Sequence, residues 1–331
     1  MYRRLLLVAT ILAFGVISLG AFVRLSDAGL GCPDWPGCYG HWLGIPDQAH
    51  EQLAANLAYP ERPLESGKAW KEMIHRYFAG TLGLLILGIC IHAWRPAARR
   101  AQSPALPTLL LAIVTLQAAL GMWTVTLLLK PMVVTLHLLG GMTTLALLLT
   151  LLLSERRITP VFTPGPWLRP LAAVALILVI FQIALGGWVS SNYAALACSD
   201  FPLCQGQWRP VMDFAHGFTL HRELGYTGDG RLLSAEALTA IHWSHRIGAL
   251  IVLFAVGTLA LALLRNKRAG RFWGWTLIGL LGLQLGLGIA NVLLSLPLPL
   301  AVAHNLGAAA LLSATLAINI RLHQTKSPWQ D

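Results

Sequence analysis

Two short stretches hold most of the residues able to do chemistry, and they say nearly the same thing. Lys71-Glu72-Met73-Ile74-His75-Arg76 opens one long apolar run, and Ala240-Ile241-His242-Trp243-Ser244-His245-Arg246 opens another about half a chain later. In each, a His-Arg pair stands just inside a run of membrane length, with an ionisable residue three places upstream. Residues three apart share a helix face, so Glu72 lies over His75 and His242 over His245. An ionisable group inside an apolar span is costly to keep, which makes it a functional candidate.

Two more histidines, His137 and His304, stand near the starts of later apolar runs. Counted from the outer ends of the runs, His75, His137, His245 and His304 sit about four to seven residues in. At about 1.5 Å per residue they lie on the order of 6–10 Å below the outer surface. The second and fourth helices of each half thus bring one imidazole each to a common level. Two facing imidazoles in an apolar bundle suit the two axial positions of a haem iron. Gly80, Gly83, Gly140, Gly141, Gly248 and the stretch from Gly307 to Ala310 leave room for a flat macrocycle. Arg76 and Arg246 stand just beyond the ligands, where a cation pairs with a haem propionate.

Each residue has an ordinary alternative. A single intramembrane histidine is often a hydrogen-bonded packing residue, glycine marks close helix contact, and arginine near a helix end snorkels to the headgroups. Four histidines at one depth in two symmetric pairs favour haem. His242 competes with His245 for the ligand role, and the repeat and Arg246 favour His245. His92 is placed near the inner end of the second helix, His323 beyond the eighth, and His41, His50, His216 and His221 in outer loops.

The elements that position these residues are membrane helices. Of 331 residues 56% are hydrophobic and 11% charged, whereas a soluble domain carries roughly a quarter charged residues. A span needs about 20 apolar residues. Eight such runs are placed near 5–24, 71–94, 105–127, 133–153, 170–190, 238–264, 272–294 and 300–320. The first lacks a small-residue cleavage site and is kept as a helix.

The net charge of +10 follows the spans. Arg3 and Arg4, then Arg95, Arg99 and Arg100, then Arg156, Arg157 and Arg169 flank alternate ends. Arg265, Lys267, Arg268, Arg271, Arg321 and Lys326 continue the pattern. That is the positive-inside signature, with both termini cytoplasmic. No basic face interleaved with exposed aromatics is present, so nucleic acid is excluded as a partner.

The plan repeats. Gly20-Ala21-Phe22-Val23 matches Gly186-Gly187-Trp188-Val189, and Cys32 to Cys38 matches Cys198 to Cys204, at an offset of 166 residues. His75 matches His245 at 170, and Gln117, Gly121 and His137 match Gln284, Gly288 and His304 at 167. The expected fold is an all-α integral membrane protein of eight transmembrane helices, arranged as two pseudo-twofold-related four-helix bundles. Its divisions are an N-terminal half over 1–155, a cytoplasmic linker over 156–169 and a C-terminal half over 170–331.

Cys32/Cys38 and Cys198/Cys204 lie on the outer side, where an oxidising compartment permits disulfides. A structural clasp over each bundle and a thiol–disulfide couple feeding electrons to the site are both open. Neither pair has further ligands at zinc spacing, and Cys90 is placed inside a helix. The halves differ at one telling point, where Glu72 faces His242 across the repeat. A carboxylate within a turn of a haem ligand can act as a base or stabilise a cation, although an interfacial pairing with Lys68 or Lys71 is the plainer role. The first half is therefore assigned the reaction.

Together these residues resemble the haem A synthase family. The resemblance rests on the stretch from Gly29 through Cys32, Pro33, Asp34, Trp35, Pro36, Gly37 and Cys38 to Gly40, on Glu72 with His75-Arg76, on His137 and His304, and on Trp243-Ser244-His245-Arg246. It implies an oxidoreductase of the cytoplasmic (inner) membrane of a bacterium that oxidises a methyl group of haem O to the formyl group of haem A for cytochrome oxidase. It implies substrate haem O between His75 and His137, Glu72 as the catalytic carboxylate, and haem b between His245 and His304. The methyl would pass through an alcohol to a hydrate that loses water. Implied partners are haem O, the lipid bilayer, an electron acceptor of unidentified class, haem O synthase, oxidase assembly proteins and a second copy of the chain. Two rivals stand beside it. A di-haem b-type electron-transfer cytochrome would need histidines at both depths. A non-enzymatic haem carrier or assembly factor would leave Glu72 unexplained.

Overall fold

A computed structural model of the protein describes residues 1–96, 103–155, 167–266 and 268–323. With no water in the hydrocarbon core, a spanning backbone must satisfy its own polar groups, which leaves helices or closed barrels. The regular structure of the described residues is helical, with eight helices long and apolar enough to cross a membrane. They are α1 (Tyr2–Leu25), α3 (Ser66–Ala93), α4 (Ala105–Thr126), α5 (Pro131–Ser154), α6 (Leu168–Ser191), α8 (Ala235–Leu264), α9 (Arg268–Leu293) and α10 (Leu298–His323). Two shorter helices, α2 (Ala49–Ala58) and α7 (Phe214–Gly217), lie in the long loops. The expected linker falls largely on 156–166, outside the described residues, as do Arg99, Arg100, Arg156, Arg157, Lys267 and Lys326 of the charge pattern.

Seven of the eight spans begin two to five residues earlier than hydropathy suggests, among them the two that carry the His-Arg pairs. α3 starts at Ser66 and α8 at Ala235, because their polar first turns are helical too. At α8 the Ser234 hydroxyl caps the helix by accepting the Ala237 N–H. His75 and His245 are therefore nine and ten residues into their helices, and His137 and His304 only six into α5 and α10. The shared count of four to seven residues is corrected for the first pair.

In the first half α1 packs on α3, α3 on α4, α4 on α5 and α5 back on α1. In the second, α6, α8, α9 and α10 close the same ring. Contacts between halves join α1 to α10, α5 to α6, and α5 to α10. A continuous apolar cluster runs through both, with Leu6, Ile86, Leu145, Leu148, Leu168, Val256, Leu263 and Ile318 among its buried members.

The duplication extends to backbone conformation. Non-glycine residues with φ in the left-handed region fall into pairs at the repeat offset: Asp27 with Tyr193, Tyr39 with Gln205, Leu128 with Ser295, and Leu129 with Leu296. Such conformations are uncommon for side-chain-bearing residues, so their recurrence reflects one chain path used twice. Equivalent positions also meet across the halves. Arg24 donates to the Ser190 carbonyl at 2.6 Å, and the Tyr193 hydroxyl donates to Asp27 at 3.0 Å.

Candidate functional site

Each of the four histidines projects from one helix against a glycine of the span before it. A Cβ added to Gly20 would lie 3.0 Å from His75 Cε1. The corresponding distances are 3.2 Å for Gly121 to His137, 3.1 Å for Gly186 to His245 and 3.2 Å for Gly288 to His304. Any larger residue would push the ring, so each glycine forms a seat that fixes where the imidazole lies. These are four copies of one seat, placed by α1 on α3, α4 on α5, α6 on α8 and α9 on α10.

In the second half the two seated rings face each other. The centroids of His245 and His304 are 6.5 Å apart and the rings cross at 74°. Two metal–imidazole bonds of about 2 Å each, with the depth of the two rings added, span this separation. The donor set fits a hexacoordinate haem iron in chemistry as well as spacing. His75, His137 and His304 each keep a buried Nδ1 without a hydrogen-bond partner. His92, which packs on Tyr2, has an unpartnered buried Nδ1 too, so the seats and the facing rings, not the orphaned nitrogen, distinguish these histidines.

Glu72 and Arg76 lie one helical turn apart beneath the first disulfide loop. Glu72 is only 4% exposed. Its carboxylate accepts the Cys32 N–H at 2.9 Å and the Arg76 guanidinium at 2.5 Å. Arg76 also donates to the carbonyls of Asp34 at 3.0 Å, Pro36 at 3.3 Å and Gly37. The second half repeats the device with different chemistry. Cys198 N–H points at His242 Nδ1 and Arg246 Nε at His242 Nε2, both at 3.3 Å. Arg246 also donates to Leu203, Asp200 and Cys198 carbonyls at 2.7, 2.8 and 3.0 Å. A neutral imidazole offers one lone pair to those two donors, whereas a carboxylate meets both. With both ring nitrogens facing donors, His242 is committed to the loop and His245 is the ring presented to His304.

The loops themselves are closed by Cys32–Cys38 and Cys198–Cys204 disulfides, with all four cysteines fully buried. Asp34 accepts the N–H groups of Tyr39 and Gly40 at 2.6 and 2.8 Å, and Asp200 those of Gln205 and Gly206 at 2.7 and 2.8 Å. The Gly206 and Gln205 amides hold the Asp200 carboxyl below the usual carboxylate range. The sulfurs cannot be attacked by an outside thiolate without opening these loops.

The remaining histidines fall elsewhere. His92 stacks on Tyr2 at 5.0 Å, and His323 Nδ1 lies 2.9 Å from the Asn319 carbonyl. His216 bonds Asp213 at 2.6 Å in α7. The long second loop is pinned by buried Arg222, which donates to Asn192 and to the Tyr226 carbonyl at 3.2 Å. Glu223 pairs with Lys130 at 3.1 Å, tying this loop to the α4–α5 turn. Lys68 pairs with Glu65 at 2.9 Å.

A family model described as cytochrome oxidase assembly protein matches residues 3–316. The haem A synthase of Shewanella oneidensis is 46% identical over 328 residues, covering 98% of this chain and 97% of that protein. That of Methylobacterium radiotolerans is 30% identical over 336 residues, covering 94% and 87%. That of Halalkalibacterium halodurans is 27% identical over 260 residues, covering 74% and 78%.

Proposed function

The chain belongs to the family of cytochrome oxidase assembly proteins, and from that premise we propose that it is the enzyme that oxidises haem O to haem A. The single observation that carries the proposal is the fourfold glycine-seated histidine, read together with the near-full-length likeness to haem A synthases. The closed packing rings and the contacts between equivalent residues support two four-helix bundles related by a pseudo-twofold axis, divided at the linker. We place the protein in a bacterial inner membrane with both termini cytoplasmic.

In this reading substrate haem O lies between His75 and His137, and haem b between His245 and His304. The haem b iron supplies reversible one-electron storage. The protein's own share is positional. The glycine seats orient the imidazoles, and the bundle walls exclude water. Glu72, on the His75 face and fixed by Cys32 and Arg76, holds or removes a proton at the reacting methyl group. Two oxygens with about four lone-pair sites leave acceptor capacity beyond those two bonds. Arg76 and Arg246 as propionate partners would share guanidinium groups that already hold the loops. The disulfides act as clasps. The reacting half is the first, because it alone carries a carboxylate at this position.

The test is extraction and mass identification of the haems that copurify with the protein, before and after supplying haem O and an oxidant. Protohaem together with a newly formed formyl haem supports the reading. Two protohaems with no conversion would favour the electron-transfer cytochrome. Protein without haem removes the proposal altogether.

A further inference from the structure

Three of the four seated histidines carry a second fixture. Gln117, Gln182 and Gln284 stand four residues before the seat glycines Gly121, Gly186 and Gly288, on the same helices. Each Nε2 donates to the backbone carbonyl of the seated histidine: His137, His245 at 2.9 Å and His304 at 3.0 Å. The same atom lies 3.1 Å from His245 Nδ1 and 3.3 Å from His304 Nε2. The carboxamide fits only because the residue three places after each histidine is glycine. A Cβ at Gly140, Gly248 or Gly307 would overlap the glutamine Oε1. Glutamine and glycine are therefore two parts of one fixture, and neither is useful alone.

At His75 both parts are missing together. The residue four before Gly20 is Val16, and the residue three after His75 is Phe78. The ring keeps its glycine seat, yet among the described residues no carboxamide donates to its backbone carbonyl, and its Nδ1 is unpartnered as is that of His137. A partner bonded to a metal-ligating histidine fixes where its ring lies, and at the other three histidines the bond is made to the backbone carbonyl. The Oε1 atoms of Gln117, Gln182 and Gln284 stand against Gly140, Gly248 and Gly307 without partners, so the fixture grips each histidine through its backbone carbonyl and by filling the space beside its helix. Losing such an outer partner lowers metal affinity by roughly 10–100-fold.

We propose that Gln117, Gln182 and Gln284 are positioning residues that lock His137, His245 and His304, and that the Val16/Phe78 gap leaves His75 as the releasable ligand. The proposal rests on the reading of the first half as the substrate site. A substrate porphyrin must enter and its product leave at every turnover, whereas a resident haem must stay. One unlocked ligand, on the first half alone, meets both requirements without any difference in ligand type.

The experiment uses full-length protein in detergent, loaded with excess iron protoporphyrin IX, freed of unbound pigment and mixed with excess apomyoglobin. Wild type should release pigment in a fast and a slow phase, with His304→Ala abolishing the slow one. Val16→Gln/Phe78→Gly, which installs the lock at His75, should slow the fast phase roughly tenfold or more. Gln182→Leu should speed the slow phase by a similar factor, and this arm decides alone if the double variant does not fold. Two bound pigments released at wild-type rates from both variants overturn the lock while leaving the haem reading intact. Wild-type protein that binds no pigment overturns both.

Discussion

The Cys32 amide donates to the Glu72 carboxylate at 2.9 Å, and at the equivalent place in the second half the Cys198 amide meets His242 at 3.3 Å. Glu72 thus has a structural duty that His242 also performs. The two duties of Glu72 can be separated by exchanging the residues. Glu72→His should keep the clamp in the form the second half uses and retain bound haem. Conversion of haem O should fall at least 100-fold, the scale of a lost general base. Product quantified by mass decides, and conversion at the wild-type rate by Glu72→His would sink the catalytic assignment.

Glu72→Ala should do more damage than Glu72→His. It leaves the Cys32 N–H and one Arg76 donor without an acceptor in a buried place, at a cost of about 1–3 kcal/mol. The reverse exchange, His242→Glu, gives both donors a full partner and should raise the thermal midpoint. Scanning calorimetry of the three variants in one detergent provides the ranking. A His242→Glu midpoint below wild type would contradict the lone-pair argument.

Much of this arrangement was legible in the sequence, for a physical reason. Duplication leaves anchors at a fixed offset, and apolar length reveals spans, so His75, His137, His245, His304 and both cysteine pairs could be found by counting. What escaped was local. Hydropathy leaves His50 in an outer loop, whereas it lies in α2, where Glu51 accepts the N–H groups of Asp47 and Gln48 in the manner of a helix start. The early starts of α3 and α8 escaped because their first turns are polar, and hydropathy sees only apolar length. Gln182 escaped because its repeat partner is Val16, so a search for matching anchors passes over it. The role of Arg76 and Arg246 as holders of loop carbonyls depends on where the loops fold back, which spacing does not encode.

The glycine seats make a steric prediction. At Gly288 an added methyl meets His304 Cε1 at 3.2 Å, closer than side-chain carbons ordinarily approach, while at Gly286 on the same helix it meets nothing within 4 Å. Gly288→Ala should tilt the imidazole, broaden the low-spin haem spectrum and weaken haem retention. Gly286→Ala should match wild type in both. Electron paramagnetic resonance of the two proteins separates a seat from general helix packing, since equal spectra would remove the seat.

The Asp200 carboxylate gives a pH dependence confined to the second loop. Its pKa is lowered by the Gly206 and Gln205 amides and by Arg246. A lowered folded pKa contributes stability above the unfolded value, and that contribution is lost as pH falls through the lowered one. The destabilisation caused by Asp200→Ala should therefore be full at neutral pH and disappear in strong acid, below the ordinary carboxylate range of about 4. Thermal midpoints of both proteins across that range test it, and a gap that does not narrow with acid would show that the amides are held by something other than the ionised carboxylate.

The disulfides separate a clasp from an electron relay. Cys198 and Cys204 are six residues apart in sequence, and closing so short a loop restrains the unfolded chain by about 2 kcal/mol. As a clasp, the bond should be replaceable: Cys198→Ser/Cys204→Ser should lower the thermal midpoint yet still convert haem O, because Arg246 continues to hold the loop carbonyls. The same should hold for Cys32→Ser/Cys38→Ser, where Arg76 and Glu72 do the holding. An electron relay predicts the same loss of midpoint and normal haem content, but no sustained turnover. Haem content, midpoint and turnover measured on the same preparations distinguish the two, and loss of turnover with haem retained would overturn the clasp.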